Sequence, residues 1–231
     1  MPAQLPPPTQ PPGGDHPLAP ILRDAIAGGW PPADGAVVHL PAWRAGVSGI
    51  VALTGRAYLC TDRSLDLDAL TRAGADGFGG ATLPQAVLDI AGPGAVIDCL
   101  DVLLAGQGRG RVGRLVDRPD LRDSPRAAAA RRSRSHVRVL GYADTHRSDL
   151  VTLSRGVAGL PELGVEAAEP GRGSTLFGDA LDSLSEGQLL LAGVAPGNAR
   201  SLRSALGAGF VIIGSVQIIV HTAPLPDERT L

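Results

Sequence analysis

The sequence predicts a mixed α/β fold in which helices flank a mostly antiparallel central sheet, with an N-terminal α/β extension or half. Three successive strands are expected at 137–142, 150–157 and 160–167, and the turns between them favour antiparallel pairing of neighbours. After residue 167, helices alternate with strands at 188–194 and 210–220, which is typical of a sheet covered by helices. These two patterns together indicate the fold class.

The chain before residue 125 supplies further elements in order. Residues 1–16 are rich in proline and are predicted to form a disordered or extended tail. Apolar residues at helical spacing predict a helix over 17–29, which Gly28 and Gly29 end. The remaining elements predicted before residue 106 are a strand, a hairpin, two helices and an apolar strand, at 36–40, 49–60, 65–73, 84–91 and 95–105.

Four side chains in this half are expected to be buried. Cys60 and Cys99 lack metal-ligand spacing and are predicted to be buried thiols, with one disulfide as the alternative. Asp98 and Asp101 lie on the apolar strand 95–105, where they either face a cleft, line an edge or pair with arginine.

Composition narrows the function classes. The chain has 231 residues and a formal net charge of −2, and all 21 of its basic residues are arginine, so no Schiff-base or P-loop lysine is available. The charge balance predicts no broad nucleic-acid surface, and the five histidines show no metal-ligand spacing, so no metal site is expected. The chain shows no signal peptide and no run of about 18 apolar residues, so we expect a cytoplasmic protein without a membrane span.

A short helix rich in alanine and arginine is predicted over 125–134. Its arginine cluster is interpreted as a solvated helix face, with a partner site as the alternative. The cluster consists of Arg126, Arg131, Arg132 and Arg134.

Two glycine-rich stretches are candidates for binding a phosphate. In 106–114, Gly108, Gly110 and Gly113 match the dinucleotide-binding fingerprint, but the following residues contain Pro119 and Pro125 and offer no apolar-faced helix. We therefore predict a loop between two strands at 106–114.

The second stretch, 165–181, predicts the end of a strand, a glycine turn at Gly171 and Gly173, and the start of an amphipathic helix. The unpaired N–H groups and the helix dipole at such a turn suit an anion, above all a phosphate or diphosphate. The alternative is that glycine simply serves the connection from strand to helix.

The second stretch and a later one together resemble the GNAT superfamily of acyl-CoA N-acyltransferases. The family has a (Gln/Arg)-x-x-Gly-x-(Gly/Ala) turn, which falls here on 168–173 with alanine at the Gln/Arg position. Its later Asn-x-x-(Ala/Ser) motif, ending in Gly-Phe, matches Asn198, Ser201, Gly209 and Phe210. The resemblance covers about 85 residues, 137–220, and implies a GNAT-like fold for this part of the chain.

The resemblance also implies acetyl-CoA as co-substrate. The turn residues Gly171, Arg172, Gly173 and Ser174 would hold its diphosphate by their backbone N–H groups, and Arg172 could also pair with a phosphate directly. The strand around Val165 would splay from its neighbour and bind the pantetheine arm. Asn198 would lie near the same arm, or cap a helix, or do both.

The resemblance thins on the catalytic side. In many family members the acid for the departing thiolate is a tyrosine seven residues after the motif asparagine, and this chain has Ala205 there. Glu162 and Glu166 are the candidate bases for removing the ammonium proton of an amine, and their spacing puts both on one face of a regular strand. If that face is turned away from the cleft, both are merely solvated.

Two function hypotheses follow. The first is an acetyl-CoA-dependent N-acetyltransferase that acts on a small-molecule or peptide amine by direct attack. The second is an inactive relative that binds CoA or a protein partner. The corresponding domain prediction is a tail at 1–16, an unassigned α/β region at 17–124 and an acyl-CoA-binding region at 125–231. The stretch 210–220 is predicted to be a final strand or pair of strands, interrupted at Gly214 and Ser215. Its apolar part, 211–220, is predicted to be an internal strand or the edge of a homodimer.

Overall fold

The computed structural model describes residues 16–221, and the predicted tail lies outside them except for His16. The described residues divide into two units, one made of 103–212 and the other of 16–102 with 213–221. The sequence prediction placed a boundary between residues 124 and 125. The unit boundaries lie within two strands, 95–107 and 211–221, and the predicted domain boundary stays a prediction.

The unit that contains the N-terminal half begins with a helix held at its start by His16, whose Nδ1 accepts the N–H of Leu18 at 3.2 Å. Its buried face is made of leucine and alanine, as the spacing predicts. The elements up to residue 107 are α1 Leu18–Ile26, β1 Val37–Leu40, β2 Val47–Leu53, β3 Arg56–Cys60, α2 Leu67–Arg72, α3 Pro84–Ala91 and β4 Ala95–Gln107.

The other unit holds most of the stretch that resembles the acyltransferases. Its elements follow the predicted order, and a strand of three residues, 115–117, comes directly after the loop predicted at 106–114. Its elements are β5 Leu115–Asp117, α4 Pro125–Ser133, β6 Ser135–Tyr142, β7 Leu150–Arg155, β8 Pro161–Glu166, α5 Gly173–Asp182, β9 Leu189–Val194 and α6 Ala199–Gly207. The last strand, β10 Val211–His221, begins here and continues into the first unit.

Antiparallel pairing dominates in both units. Pairs β5–β6, β6–β7 and β7–β8 are antiparallel, and β8–β9 is parallel. In the first unit β2 pairs antiparallel with β3 and with β10, and β1 pairs parallel with β3. The predicted fold class, a mixed α/β fold with a mostly antiparallel sheet flanked by helices, is therefore confirmed.

Each unit has an apolar interior. In the first, Ile50, Leu59 and Ile219 on the strands belong to one buried cluster with Ile90 on α3. In the second, Phe177 on α5 meets Phe210 edge to face, with ring centroids 5.4 Å apart.

Strand β10 corrects one prediction. The sequence predicted an interruption at Gly214 and Ser215, but β10 runs unbroken from Val211 to His221. Gly214 serves close packing instead, because a side chain there would collide with the backbone oxygen of Ala52 on β2. Since β10 lies between β2 and β4, it is the internal strand of the two alternatives and not an edge.

Strand β4 corrects a second prediction. Asp98 and Cys99 are exposed, because β4 carries buried side chains only from Leu103 onwards, in its second half. Asp101 is partly buried, and its carboxylate accepts the Cys99 thiol hydrogen at 3.1 Å. Cys60 is buried as predicted, and both thiols are free.

Candidate functional site

The site begins where β8 and β9 part. Their parallel pairing has only two register partners among the described residues, Glu162 with Leu191 and Leu163 with Ala192. Strand β8 nevertheless continues to Glu166 and stays paired with β7 as far as Leu150. The β9 side of 164–166 is therefore open, and its backbone polar groups face a gap between the two strands.

The glycine turn lies directly beyond this gap. Gly171 has φ +89°, a left-handed conformation that favours glycine, and α5 begins two residues later. Arg172, at the N-cap of α5, makes no side-chain cap bond, whereas Asp66, Ser124 and Asn198 each cap their own helix. The first-turn N–H groups of α5 thus remain without a side-chain acceptor, as a site for an anion requires.

A cavity of about 300 Å³ opens at this point. Five of the eight site residues that the sequence predicts line it, namely Val165, Glu166, Gly171, Gly173 and Asn198. The other lining residues are Arg126, Ala167, Ala168, Glu169, Pro170, Phe177, Arg200, Ser201 and Ser204.

Three predicted site residues do not line the cavity. Arg172 is bound to Glu169, with its Nε 2.9 Å from the carboxylate. Ser174 lies against α6, where a side chain at Gly207 would meet its hydroxyl at 3.3 Å. Glu162 is buried beneath α4.

Glu162 and Glu166 do share one face of β8, as their spacing predicts, and that face packs under α4. The Glu162 carboxylate receives Nη2 of Arg134 at 2.6 Å and the N–H of Val157 at 2.9 Å. Glu166 lies 3.7 Å from Nε of Arg126, and about half of each side chain is exposed. Of the two candidate bases, only Glu166 is therefore reachable from the cavity.

The Asn198 side chain acts as a helix cap. Its Oδ1 accepts the N–H of Ser201 at 3.1 Å, which fixes the start of α6 along one wall of the cavity. Ala205, at the position where the resemblance expects tyrosine, is completely buried in α6.

Sequence patterns do not reveal the residue that anchors the loop after β8. Asp149 is the last residue of the loop between β6 and β7, and it is buried. Its Oδ1 accepts the N–H of Ala168 at 2.9 Å, and its Oδ2 receives Nε and Nη2 of Arg147 at 2.9 and 2.7 Å. A buried carboxylate with three donors holds the cavity loop by its second residue, Ala168.

The predicted loop at 106–114 is confirmed, and its glycines fit a role other than nucleotide binding. Its N–H groups donate to the last two carbonyls of α5, from Arg109 to Leu181 at 2.9 Å and from Arg111 to Asp182 at 3.1 Å. A third bond runs from Gly110 to the carbonyl of Leu184, just beyond the helix, at 2.9 Å. A side chain at Gly108 or Gly113 would collide with this end of the helix. We call residues 108–114 the clasp of α5.

Asp179 ties the clasp to the sheet. It is buried in the middle of α5, where its Oδ1 accepts Nη2 of Arg114 at 2.7 Å and its Oδ2 accepts the Tyr142 hydroxyl at 2.6 Å. Burial, together with the hydrogen bond to Asp179, raises the pKa of Tyr142 to about 12, so this phenol stays protonated as a donor. The clasp and Tyr142 fix α5 while its other end faces the cavity.

Within residues 16–221, no three His, Cys, Asp or Glu side chains are grouped so that they could hold a metal ion. Over the same residues, no helix has the length and apolarity needed to cross a membrane.

Comparison with known proteins gives little. No protein-family model matches the chain, and no curated protein sequence matches it. One solved structure that does match comes from Novosphingobium aromaticivorans DSM 12444 and is described as an acetyltransferase of the GNAT family. The identity is 17% and the TM-score 0.36, over 57% of this chain and 69% of that chain. A likeness at this TM-score carries no conclusion about the function of this chain.

Proposed function

We propose that the protein is an acyl-CoA-dependent N-acyltransferase that transfers an acetyl group from acetyl-CoA to an amine. The observation that carries the proposal is the early end of the β8–β9 pairing, after Leu163 and Ala192. It opens backbone polar groups toward a cavity whose far end is the uncapped start of α5. An elongated ligand with a hydrogen-bonding arm and a diphosphate has matching groups in the same order.

Residues of the cavity fit the parts of such a ligand. The N–H groups of the first turn of α5 would receive the diphosphate, and the open side of 164–166 would bind the pantetheine arm. The cavity volume is at the lower end of the roughly 300–1,000 Å³ typical of ligand pockets, so it would enclose only part of CoA.

In the transfer, the nitrogen of the amine attacks the thioester carbonyl carbon and the carbon–sulfur bond breaks. The proton released from nitrogen passes to a base and the departing thiolate takes up a proton. Glu166 is the base candidate, since it lines the cavity and is half exposed. We assign Glu162 a structural role because two donors occupy its carboxylate.

Titration with acetyl-CoA by calorimetry tests the binding step. Ser201→Glu adds a carboxylate inside the cavity and should weaken binding by more than about tenfold through repulsion of the phosphates. Ala199→Glu adds the same charge on the same helix but at a residue that does not line the cavity, so its effect should be small. Absence of binding to the unaltered protein at millimolar ligand would refute the proposal.

A second candidate, a CoA-binding protein without catalysis, is favoured by one observation. The position at which the resemblance expects an acid for the thiolate holds Ala205, which is fully buried. An amine screen with thiol release as the readout separates the two candidates, and Glu166→Gln should lower the turnover of any amine that is accepted. We also propose that the acceptor is a small-molecule or peptide amine and that the protein forms a homodimer.

A further inference from the structure

The charge for a bound phosphate has two candidate sources in this site. The sequence points to Arg172, which lies between the two glycines of the turn. In the structure Arg172 is paired with Glu169 at 2.9 Å and does not line the cavity. Arg200, on the first turn of α6, does line the cavity.

The charges on the cavity wall leave Arg200 as the available cation. The two lining carboxylates, Glu166 and Glu169, each have an arginine of their own, at 3.7 and 2.9 Å respectively. Among the described residues Arg200 has no ion pair or side-chain hydrogen bond, and it is exposed. Arg200 is therefore a cation without a carboxylate partner, and the first-turn N–H groups of α5 are donors without a side-chain acceptor. A bound anion would satisfy both.

The packing of α5 against α6 brings these groups to one place. A side chain at Gly173 would meet the Ser204 hydroxyl oxygen at 2.9 Å, so the first turn of α5 touches α6 at Ser204. Arg200 precedes Ser204 by four residues and therefore lies on the same face of α6, one turn nearer the start of the helix, and both residues line the cavity. A larger residue at Gly173 would crowd this contact and displace the Ser204 hydroxyl.

We infer that Arg200, and not Arg172, is the arginine that binds the diphosphate of the ligand, opposite the first-turn N–H groups of α5. This inference rests on the proposed function and names the specificity-determining cation of the same site. It also explains how a chain without lysine obtains a phosphate-binding charge when the arginine of its glycine turn is engaged elsewhere.

Binding of CoA and of inorganic diphosphate to four proteins tests the inference. Arg200→Gln should weaken the binding of both ligands about tenfold at low salt, the usual range for one charge-assisted hydrogen bond. Arg203→Gln removes the same charge from the same helix outside the cavity lining and should leave both affinities within twofold. Arg172→Gln should weaken binding less than Arg200→Gln does.

The outcomes separate this inference from the proposed function. If CoA binds the Arg200→Gln variant as well as it binds the original protein, the inference is overturned and the proposed function stands. The same holds if Arg172→Gln costs as much as Arg200→Gln. If diphosphate binding depends on Arg200 but CoA does not bind, the anion contact is supported and the proposed function fails. If neither ligand binds the original protein, both are refuted.

Discussion

Two arginine–glutamate pairs on the same pair of elements differ sharply in burial. Arg134 and Glu162 have side-chain exposures of 18% and 8%, whereas Arg126 and Glu166 have 47% and 49%. Hydrogen bonds from Arg134 and from the N–H of Val157 replace the water that would otherwise solvate the buried Glu162 carboxylate. The side chains of the exposed pair keep their contact with water, so their attraction is weak and is screened by salt.

Removing one partner should therefore have unequal effects on the free energy of unfolding. Arg134→Gln leaves a buried carboxylate without its cation and should cost about 3–5 kcal/mol. Arg126→Gln, the matched change on the same face of α4, should cost about 0–1 kcal/mol. Urea unfolding followed by circular dichroism measures both, and equal losses would contradict the assigned roles.

At the scale of elements, α5 is held at the end remote from the cavity. Two N–H groups of the clasp satisfy its last two carbonyls, and a third donates to Leu184 just beyond it. Arg109, Arg111 and Arg114 bring positive charge to the negative end of its dipole. Because carbonyls at one end are satisfied by protein, the donors at the other end are the ones left for a ligand.

A methyl group in the clasp should loosen this arrangement. In Gly108→Ala the new carbon would collide with the backbone oxygen of Ser185, so the clasp must shift and stability should fall by about 1–3 kcal/mol. Gly197→Ala is the matched control, since nothing lies within 4 Å of the added carbon and its effect should stay within about 0.5 kcal/mol. Thermal and urea unfolding give both values, and an unaffected Gly108→Ala variant would refute the packing role.

The elements of the site could be predicted from local sequence, but its anchors could not. Apolar spacing predicted an amphipathic helix where α5 lies, whose buried face includes Leu176 and Phe177, and the glycines predicted the turn before it. Local sequence could not predict that Asp179 is buried, because its partner Arg114 is 65 residues away along the chain. Asp149 escapes prediction for the same reason, since the N–H that it accepts comes from Ala168 on another strand's loop.

At the scale of the whole molecule, stability responds to pH through a group in the first unit. His221, the last residue of β10, lies 2.9 Å from the Ser48 hydroxyl of β2, which is itself 2.7 Å from the Thr61 hydroxyl. Burial, and then the positive charge of Arg63, lowers the pKa of His221 from its ordinary value of 6.5. The folded state therefore favours the neutral imidazole.

The sign of the pH effect follows from this direction. The contribution of His221 is fully present above the unfolded pKa of 6.5 and is lost as the pH falls through the lower pKa of the folded state. The stability of the original protein should decline between about pH 7 and pH 5 more than that of His221→Gln, which keeps a hydrogen-bonding side chain without a titration. Urea unfolding across this range measures the difference, and parallel pH profiles would rule out the role of His221.

The pairing of β2 with β10 joins residues 47–52 to 215–220, across nearly the whole described chain. During synthesis from the N-terminus, residues 103–212 must all emerge before β2 can meet this partner. Closing so long a loop also carries an entropic cost that shorter pairings avoid. The unit that contains residues 16–102 is consequently completed last. Until then, the edge of β2 that pairs with β10 remains unpaired.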